Sequence, residues 1–305
     1  MRKTSSVRIP QIIVLYHILH MATLQSTAPL NTHTEPKNRI SELSKAILEL
    51  LPEEDSSDVD IAIDGDAGAG KDTLGVKLAD LLHLLFINSG DFYRSIAVHY
   101  EKYKDFTPEK RKKRLDSFIK KHKLKLTAGY FGEKMKFYVN GNDKTNDIHL
   151  NKISSIVALF SSIPKVRKLV NNSIQDFSKN NSVVMGGRDI GLVVLPQSLF
   201  HIVLTASPEV RARRRFNELE AKRLAGDPKA LKEKYTYESI LAGIMARDAK
   251  DEETVEREKK KLPKNHPHPK YKIIIDTDGL DAEGVLLEVL KQMHEKLAQD
   301  AHKNS

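Results

Sequence analysis

The 305-residue chain contains no cysteine. This absence excludes disulfide bridges, thiolate metal sites and cysteine nucleophiles, and it favours a reducing compartment, so we expect a cytoplasmic location. The chain also lacks any stretch of about 18 consecutive apolar residues, and no segment is therefore predicted to span a bilayer. Internal repeats and low-complexity tracts are missing as well.

Positive charge is abundant, because 50 Lys and Arg residues outnumber 41 Asp and Glu residues and give a formal net charge of +9. Such an excess raises the local concentration of phosphate-bearing ligands, but it does not distinguish nucleotides from nucleic acids. With 40% hydrophobic and 30% charged residues, the composition predicts a globular chain. Its length allows one large α/β domain with insertions or two modest domains.

Residues 1–57 are interpreted as an N-terminal extension that is partly disordered. An apolar run, Ile12–Leu19, follows basic residues as in a secretory presequence, but two histidines interrupt it and no small-residue cleavage site follows. A start at Met21, or a disordered tail, is favoured over a cleaved presequence. One stretch, Ile40–Leu51, has apolar residues at helical spacing and predicts an amphipathic helix that leads into the domain.

Five short apolar runs of β-rich composition predict a parallel sheet, because helical segments separate them and such alternation implies βαβ units covered on both faces. The predicted strands are Val59–Asp64, Leu84–Ile87, Ser182–Met185, Phe200–Leu204 and Tyr271–Ile275. We expect an α/β domain over residues 58–305, with a five-stranded parallel sheet flanked by helices.

Two stretches interrupt this alternation. The first, about residues 104–170, contains a very basic segment and two alternating runs, Lys123–Leu126 and Lys136–Val139, followed by an Asn-Gly pair; it predicts a small antiparallel β insert. The second, about residues 216–257, is charged and helical in pattern. A segment of that kind buries little surface, so we expect it to move as a lid.

The segment GDAGAGKDT lies between the first predicted strand and a predicted helix. Its glycines let the backbone curl so that successive N–H groups face a phosphate, and the helix adds the positive end of its dipole. Lys71 can then reach the β and γ phosphates. We therefore predict an ATP-binding P loop formed by Gly65, Asp66, Ala67, Gly68, Ala69, Gly70, Lys71, Asp72 and Thr73.

Asp72 stands where the P-loop motif usually has a Ser or Thr that binds Mg²⁺. A carboxylate within about 4 Å of a triphosphate costs on the order of 4 kcal/mol per charge pair at an effective dielectric near about 20. We expect Asp72 either to turn away from the phosphates or to ligate the metal. Thr73 is then the candidate hydroxyl for Mg²⁺.

Four segments in a fixed order resemble the bacterial-type cytidylate kinase family of P-loop nucleoside monophosphate kinases. They are Gly65–Thr73, NSGDFYRSIA (Asn88–Ala97), GGRDIGLVVLP with HIVLTASPEVRARRR (within Gly186–Arg215), and ARDAKDE with IDTDGL (within Ala246–Leu280). The Gly-Arg-Asp-Ile-Gly part is the most family-specific. The resemblance implies a P-loop NTPase fold in which the two insertions are the monophosphate-binding insert and the lid.

The resemblance also implies an activity, the transfer of the ATP γ-phosphoryl group to CMP or dCMP with the help of Mg²⁺. It implies a monomer with small-molecule substrates and with no membrane or nucleic-acid partner. The implied catalytic residues are Lys71, Arg188, Arg211, Arg215 and Arg247, and Arg214 is implied beside Arg211 and Arg215 as a donor to ATP phosphates.

The CMP-binding residues implied by the resemblance are Ser89, Tyr93, Arg94, Arg167, Arg188, Asp189, Arg247 and Asp251. In the family, matching arginines at 94, 188 and 247 hold the phosphate, whose oxygens suit their planar forks. Asp189 and Arg167 match the residues that read cytosine, since a carboxylate can accept from the N4 amine. Some of the implied site residues also have a purely structural interpretation. Asp189 can cap a helix, Tyr93 can belong to the hydrophobic core, and residues 211–215 can form a solvated helix face.

Three positions depart from the family pattern. Ala158 replaces a second base-reading serine, His149 replaces an arginine of the insert, and Thr254 replaces an arginine of the lid, although Arg257 follows one helical turn later. With Asp72, they leave two alternatives open. One is a P-loop kinase for UMP, shikimate or dephospho-coenzyme A. The other is a nucleotide-binding protein without activity that senses ATP or docks on RNA.

Overall fold

The computed structural model describes residues 35–51, 59–100, 113, 117, 125–131, 134–148, 157, 160–161, 163–227, 231 and 235–304. Two of the family departures, His149 and Ala158, lie outside these residues.

A five-stranded sheet forms the centre of the fold, and all of its neighbouring strands pair in parallel. With strands numbered in chain order, it contains β1 (Ile61–Gly65), β2 (Leu85–Asn88), β6 (Val183–Gly187), β7 (Phe200–Thr205) and β8 (Tyr271–Asp276). Their order is β2-β6-β1-β7-β8. All five predicted strands are confirmed, each within two residues at either end. The carboxyl ends of β2, β6 and β1 therefore lie side by side, where open α/β sheets bind ligands.

Seven α-helices have both ends within the described part of the chain. They are α1 (Pro36–Leu50), α2 (Lys71–Leu81), α3 (Ser89–Tyr100), α4 (Pro164–Ser178), α5 (Pro208–Leu224), α6 (Tyr237–Lys259) and α7 (Ala282–Asn304). Helices α1, α4 and α5 begin with proline, whose missing N–H costs nothing in a first turn. Thr236 and Ser239 form a capping box at the start of α6.

The predicted amphipathic helix of the N-terminal extension is α1. Its Leu43 and Ile47 are buried in the same core as Val289 and Met293 of α7, against which α1 packs. This helix therefore belongs to the packed core of the sheet domain.

The insert contains a three-stranded antiparallel sheet: β3 (Leu126–Phe131), β4 (Lys134–Val139) and β5 (Asn142–Asp143). The prediction of an antiparallel sheet is confirmed for the described residues. The predicted run Lys123–Leu126 meets β3 only at Leu126, and its residues 123–124 lie outside the described part of the chain. β3 begins at Leu126 because Leu126 pairs with Val139 and both are buried against α3 and α4. Asn140 and Gly141, with φ of 52° and 78°, form the turn between β4 and β5.

The predicted lid, about residues 216–257, is built differently from the sheet. Helix α6 has no buried residue, and it contacts α5 alongside it. No helix among the described residues combines the length and apolar character needed to cross a bilayer.

Candidate active site

The P loop joins β1 to α2 in a conformation that needs glycine. Gly68 and Gly70 have φ of 84° and 97°, in the left-handed region. A Cβ atom on Gly65 would lie 2.3 Å from the carbonyl oxygen of Leu204 on β7. The loop therefore curls against the sheet, and the N-terminus of α2, which begins at Lys71, faces its interior.

Lys71 is folded onto this loop. Its Nζ donates a hydrogen bond to the carbonyl oxygen of Asp66 at 2.7 Å. Burial lowers the pKa of Lys71 to about 8, and the nearby Arg188 acts in the same direction, against the opposing effect of Asp72. The arrival of an anionic phosphate would favour the charged form again, so ligand binding and protonation of this lysine are coupled.

The carboxylate of Asp72 is directed at the end of β2. Both of its oxygens accept from Nδ2 of Asn88, each at 3.0 Å. Thr73 is exposed beside it, and the described residues contain no group of three or more His, Asp or Glu side chains that could hold a metal. One hydroxyl without a protein cage fits Mg²⁺, which usually keeps waters and is held largely by substrate phosphates.

The loop after β6 carries Arg188 and Asp189, and a buried carboxylate fixes its course. Asp64, at the end of β1, accepts from the backbone N–H groups of Ile190 at 2.7 Å and Gly191 at 3.1 Å. It also contacts Nε2 of His201 at 2.8 Å. These bonds set the start of a π-helical turn, residues 190–194, and thereby the direction of the two side chains before it.

Asp189 and Arg167 form a buried ion pair, although Arg167 comes from α4. Each residue is only 7% exposed. Burial raises the pKa of Asp189 to about 6, against the opposing effect of Arg167. Tyr93 is also buried and lies close enough to both for mutual electrostatic influence, while burial raises the pKa of its hydroxyl. The structure thus brings together both predicted base-reading residues and one predicted ribose contact.

Three further predicted CMP-binding residues converge at the lid. Arg188 contacts Asp66 of the P loop at 3.2 Å and Asp251 of α6 at 2.6 Å. Nε of Arg247 lies 3.6 Å from the same Asp251 carboxylate, and its side chain is 65% exposed. Two guanidinium groups therefore share one lid carboxylate beside the P loop.

The remaining predicted acceptor residues lie on α3. Ser89 begins this helix, and its Oγ would be only 2.7 Å from a Cβ atom on Gly187, so it borders the loop after β6. Arg94 pairs with Asp91 of its own helix at 2.8 Å. Phe92, next to Tyr93 on this helix, is fully buried against Phe137 of the insert.

The predicted phosphate-binding arginines of α5 occupy three different environments. Arg211 is 2% exposed and donates a hydrogen bond to the carbonyl oxygen of Ala67 at 3.3 Å. It also forms a bidentate ion pair with the carboxylate of Asp248 of α6, at 3.0 and 2.6 Å. Arg214 donates to Thr277 after β8. Arg215 is half-exposed and pairs with Glu218. The structural interpretation of residues 211–215 as a solvated helix face therefore fits Arg215, which is half-exposed, but does not fit Arg211, which is buried.

A cleft runs from the P loop to the segment after β8. Its lining combines loop backbone, the Arg214 side chain and apolar groups at the start of α7: Ala69, Gly70, Thr73, Leu74, Arg214, Leu280, Asp281, Ala282 and Val285. Such a mixture of apolar walls and a few polar groups suits a planar heterocycle attached to a phosphate chain.

Sequence reasoning missed three residues that organise the site: Asp64, Asn88 and Asp248. Asp64 ends an apolar strand directly before the glycine-rich loop, and a carboxylate in that position was a readable signal of a buried polar role. Asp248 precedes Asp251 by three residues, which places both on one face of α6. Asn88 gave no signal by itself, because its partner Asp72 is 16 residues away.

Comparison with known proteins gives a consistent result. A family model described as cytidylate kinase matches residues 61–295. A cytidylate kinase of Carboxydothermus hydrogenoformans is 35% identical over 232 residues, covering 76% of this chain and 95% of that protein. One of Thermosipho melanesiensis is 33% identical over 236 residues, with coverages of 77% and 97%.

A third relative, a cytidylate kinase of Caldanaerobacter subterraneus, is 34% identical over 242 residues and covers 79% of this chain and 96% of its own. Among solved structures, an uncharacterized protein from Eubacterium ventriosum covers 78% of this chain and 99% of its own at 12% identity with a TM-score of 0.39. That structural likeness is too distant to bear on fold or function.

Proposed function

The chain belongs to the cytidylate kinase family, and on that premise we propose that it transfers the γ-phosphoryl group of ATP to CMP or dCMP at the site described above. The observation that carries the proposal is the buried Asp189–Arg167 pair beside the P loop. A buried, hydrogen-bonding carboxylate and guanidinium next to a phosphate-binding loop suit a polar base joined to a phosphate.

ATP is the donor, and its triphosphate lies in the P loop with Lys71 on the β and γ phosphates. The adenine occupies the cleft between the loop and the segment after β8, with Arg214 in its wall. Mg²⁺ would be held by the Thr73 hydroxyl together with phosphate oxygens and water. When bound, the metal ion neutralises charge that builds up on the phosphate oxygens.

CMP lies on the opposite side of the transfer point, against α3 and the loop after β6. Arg94, Arg188 and Arg247 hold its phosphate, and Tyr93 and Asp251 contact the ribose. Asp189 accepts a hydrogen bond from the cytosine N4 amine. Uracil offers a carbonyl oxygen at that point, so the ionised carboxylate would face an acceptor and remain without that bond.

The chemistry requires no protein nucleophile and no strong base, because the attacking oxygen of CMP is already anionic. Catalysis then rests on in-line positioning and on charge neutralisation by Lys71 and the arginines. Asp251 and Asp248 of α6 pair with Arg188 and Arg211. Incoming phosphates replace these carboxylates, and closure of the lid over them excludes water and suppresses ATP hydrolysis.

The enzyme is proposed to act as a cytoplasmic monomer. The support is the presence of both proposed substrate sites on one chain and the complete absence of cysteine, which is typical of reducing compartments.

A coupled assay of ADP release across a panel of acceptors tests the proposal. CMP and dCMP should give turnover well above that with UMP, shikimate and dephospho-coenzyme A, each assayed with ATP and Mg²⁺. Preference for one of the last three would replace the proposed acceptor. Release of ADP with none of them would favour a nucleotide-binding protein without kinase activity.

A further inference from the structure

Asn88 links α2, which the proposed function assigns to ATP, to α3, which it assigns to CMP. It is the last residue of β2 and directly precedes α3. Its Oδ1 accepts from the backbone N–H of Gly90 at 2.8 Å, which satisfies one of the free N–H groups at the start of α3. Its Nδ2 donates to the carboxylate of Asp72 in the first turn of α2.

Position 88 therefore has to accept one hydrogen bond and donate another. An asparagine amide does both, whereas an aspartate could cap α3 but could not donate to Asp72. Aspartate at position 88 would set two carboxylates about 3 Å apart, an arrangement in which both do not ionise readily. The identities of residues 72 and 88 are thus coupled: one carboxylate and one amide satisfy the contact.

Two glycines border this contact, in which Asp72 is exposed and Asn88 is half-buried. A Cβ atom on Gly90 would lie 2.8 Å from Oδ1 of Asn88. One on Gly186, at the end of β6, would lie 3.4 Å from Oδ1 of Asp72. The pair is therefore held over the carboxyl ends of β2 and β6.

Each member of the pair is next in sequence to a residue of the proposed machinery. Asp72 follows Lys71 of the donor loop, and Asn88 precedes Ser89 at the start of the acceptor helix, which also carries Tyr93 and Arg94. The contact also explains how an acidic residue is accommodated in a phosphate-binding loop, because the carboxylate is engaged by an amide at the end of β2.

We propose that Asp72 and Asn88 are positioning residues for phosphoryl transfer, whose contact sets the separation between the P loop and the acceptor helix α3. The inference rests on the proposed function, which assigns α3 to CMP. Misplacement of reacting groups by about 1 Å can cost about a hundredfold in rate, so a contact that fixes this separation should affect turnover strongly.

The test is a charge exchange between the two positions, followed by kinetics with ATP and CMP. Asn88→Asp should lower kcat at saturating ATP and CMP by about tenfold or more, because the carboxylates repel and part the helices. Adding Asp72→Asn restores one carboxylate and one amide, and kcat should return to within about threefold of the wild type.

Asp80→Asn is the matched control, since it removes one negative charge from the same helix α2 at an exposed position. Combined with Asn88→Asp, it should give no recovery. Thermal melting of every variant shows the amount of folded protein, and Asn88→Ala, which removes the contact without repulsion, takes the place of Asn88→Asp if the latter does not fold; Asn88→Ala should also lower kcat.

The inference is overturned if Asn88→Asp, or Asn88→Ala in its place, keeps wild-type kcat, or if Asp80→Asn rescues Asn88→Asp as well as Asp72→Asn does. A wild-type protein that does not phosphorylate CMP would instead remove the proposed function. The two failures are distinguishable because the first is scored only on an active wild-type enzyme.

Discussion

The P-loop side of the site and the lid side are held in place by different forces. The P loop rests on an apolar core, in which Ile61, Ile63 and Leu78 are completely buried. Helix α6 of the lid buries no residue. It reaches the site through ion pairs, from Asp248 to Arg211 and from Asp251 to Arg188. The donor loop is thus fixed by apolar packing, while the lid is held by charge.

This difference has a functional consequence. The guanidinium groups that pair with α6 are the same ones proposed to bind phosphate. Phosphate oxygens and carboxylates compete for a planar fork of donors, so we expect phosphate binding to displace the carboxylates of Asp248 and Asp251 from these guanidinium groups. Apolar packing beneath the P loop offers no such exchange, so the backbone on that side should keep its position when substrates bind.

The largest expected effect is a loss of turnover when the P-loop side is changed. Lys71→Ala should lower kcat by about a hundredfold or more, because one preorganised cation is lost from the developing charge. The melting temperature should change little, since the hydrogen bond lost from Lys71 to the Asp66 carbonyl contributes only about 1 kcal/mol net. Lys77→Ala on the same helix is the control and should keep wild-type turnover. Undiminished turnover of Lys71→Ala would remove residues 65–73 from the active site.

A smaller effect is expected from freeing the lid. Asp248→Asn weakens the pair with the buried Arg211, and charge-assisted hydrogen bonds contribute about 1.5 to 3 kcal/mol net. Amide hydrogen exchange in α6 should then accelerate by roughly tenfold to a hundredfold, while β1 and β7 keep their protection. Glu252→Gln, at an exposed position of α6, is the control. An equal acceleration in the sheet would show that the lid and the core open together.

The smallest expected effect is a pH dependence of ATP binding, which arises on the P-loop side alone. The pKa of Lys71 lies at about 8, so the neutral amine, which binds phosphate poorly, predominates above that pH. The Kd of a non-hydrolysable ATP analogue should therefore rise between pH 7 and 9, by at most about tenfold. Lys71→Arg keeps its charge over this range and should give a flatter profile. An identical pH dependence in both proteins would assign the titration to another group.

The sheet and the P loop could be predicted because their signals are local. A strand such as Phe200–Leu204 is a short apolar run, and the glycines at 65, 68 and 70 are required by the backbone itself. The start of β3 could not be placed, because it depends on pairing between Leu126 and Val139 and on burial against other helices.

Within the site, the contacts that could not be predicted join residues that lie far apart in sequence. Asp64 bonds the backbone of Ile190, 126 residues away, and no local pattern records that contact. Arg211 was predicted from its motif as a donor to ATP phosphates, together with Arg214 and Arg215. Its burial and its pairing with Asp248 depend on where α6 lies, which periodicity does not reveal.

The buried carboxylate of Asp189 is proposed to read the acceptor base. The most direct test measures kcat/KM for CMP and for UMP with the wild-type protein and with Asp189→Asn, with melting curves to verify folding. The wild type should prefer CMP by about tenfold or more, from about 1 to 3 kcal/mol for one unpaired polar group. Asp189→Asn should narrow that ratio, because its N–H₂ can donate to the uracil O4 carbonyl. A wild-type preference for UMP, or an unaltered ratio in Asp189→Asn, would contradict the account.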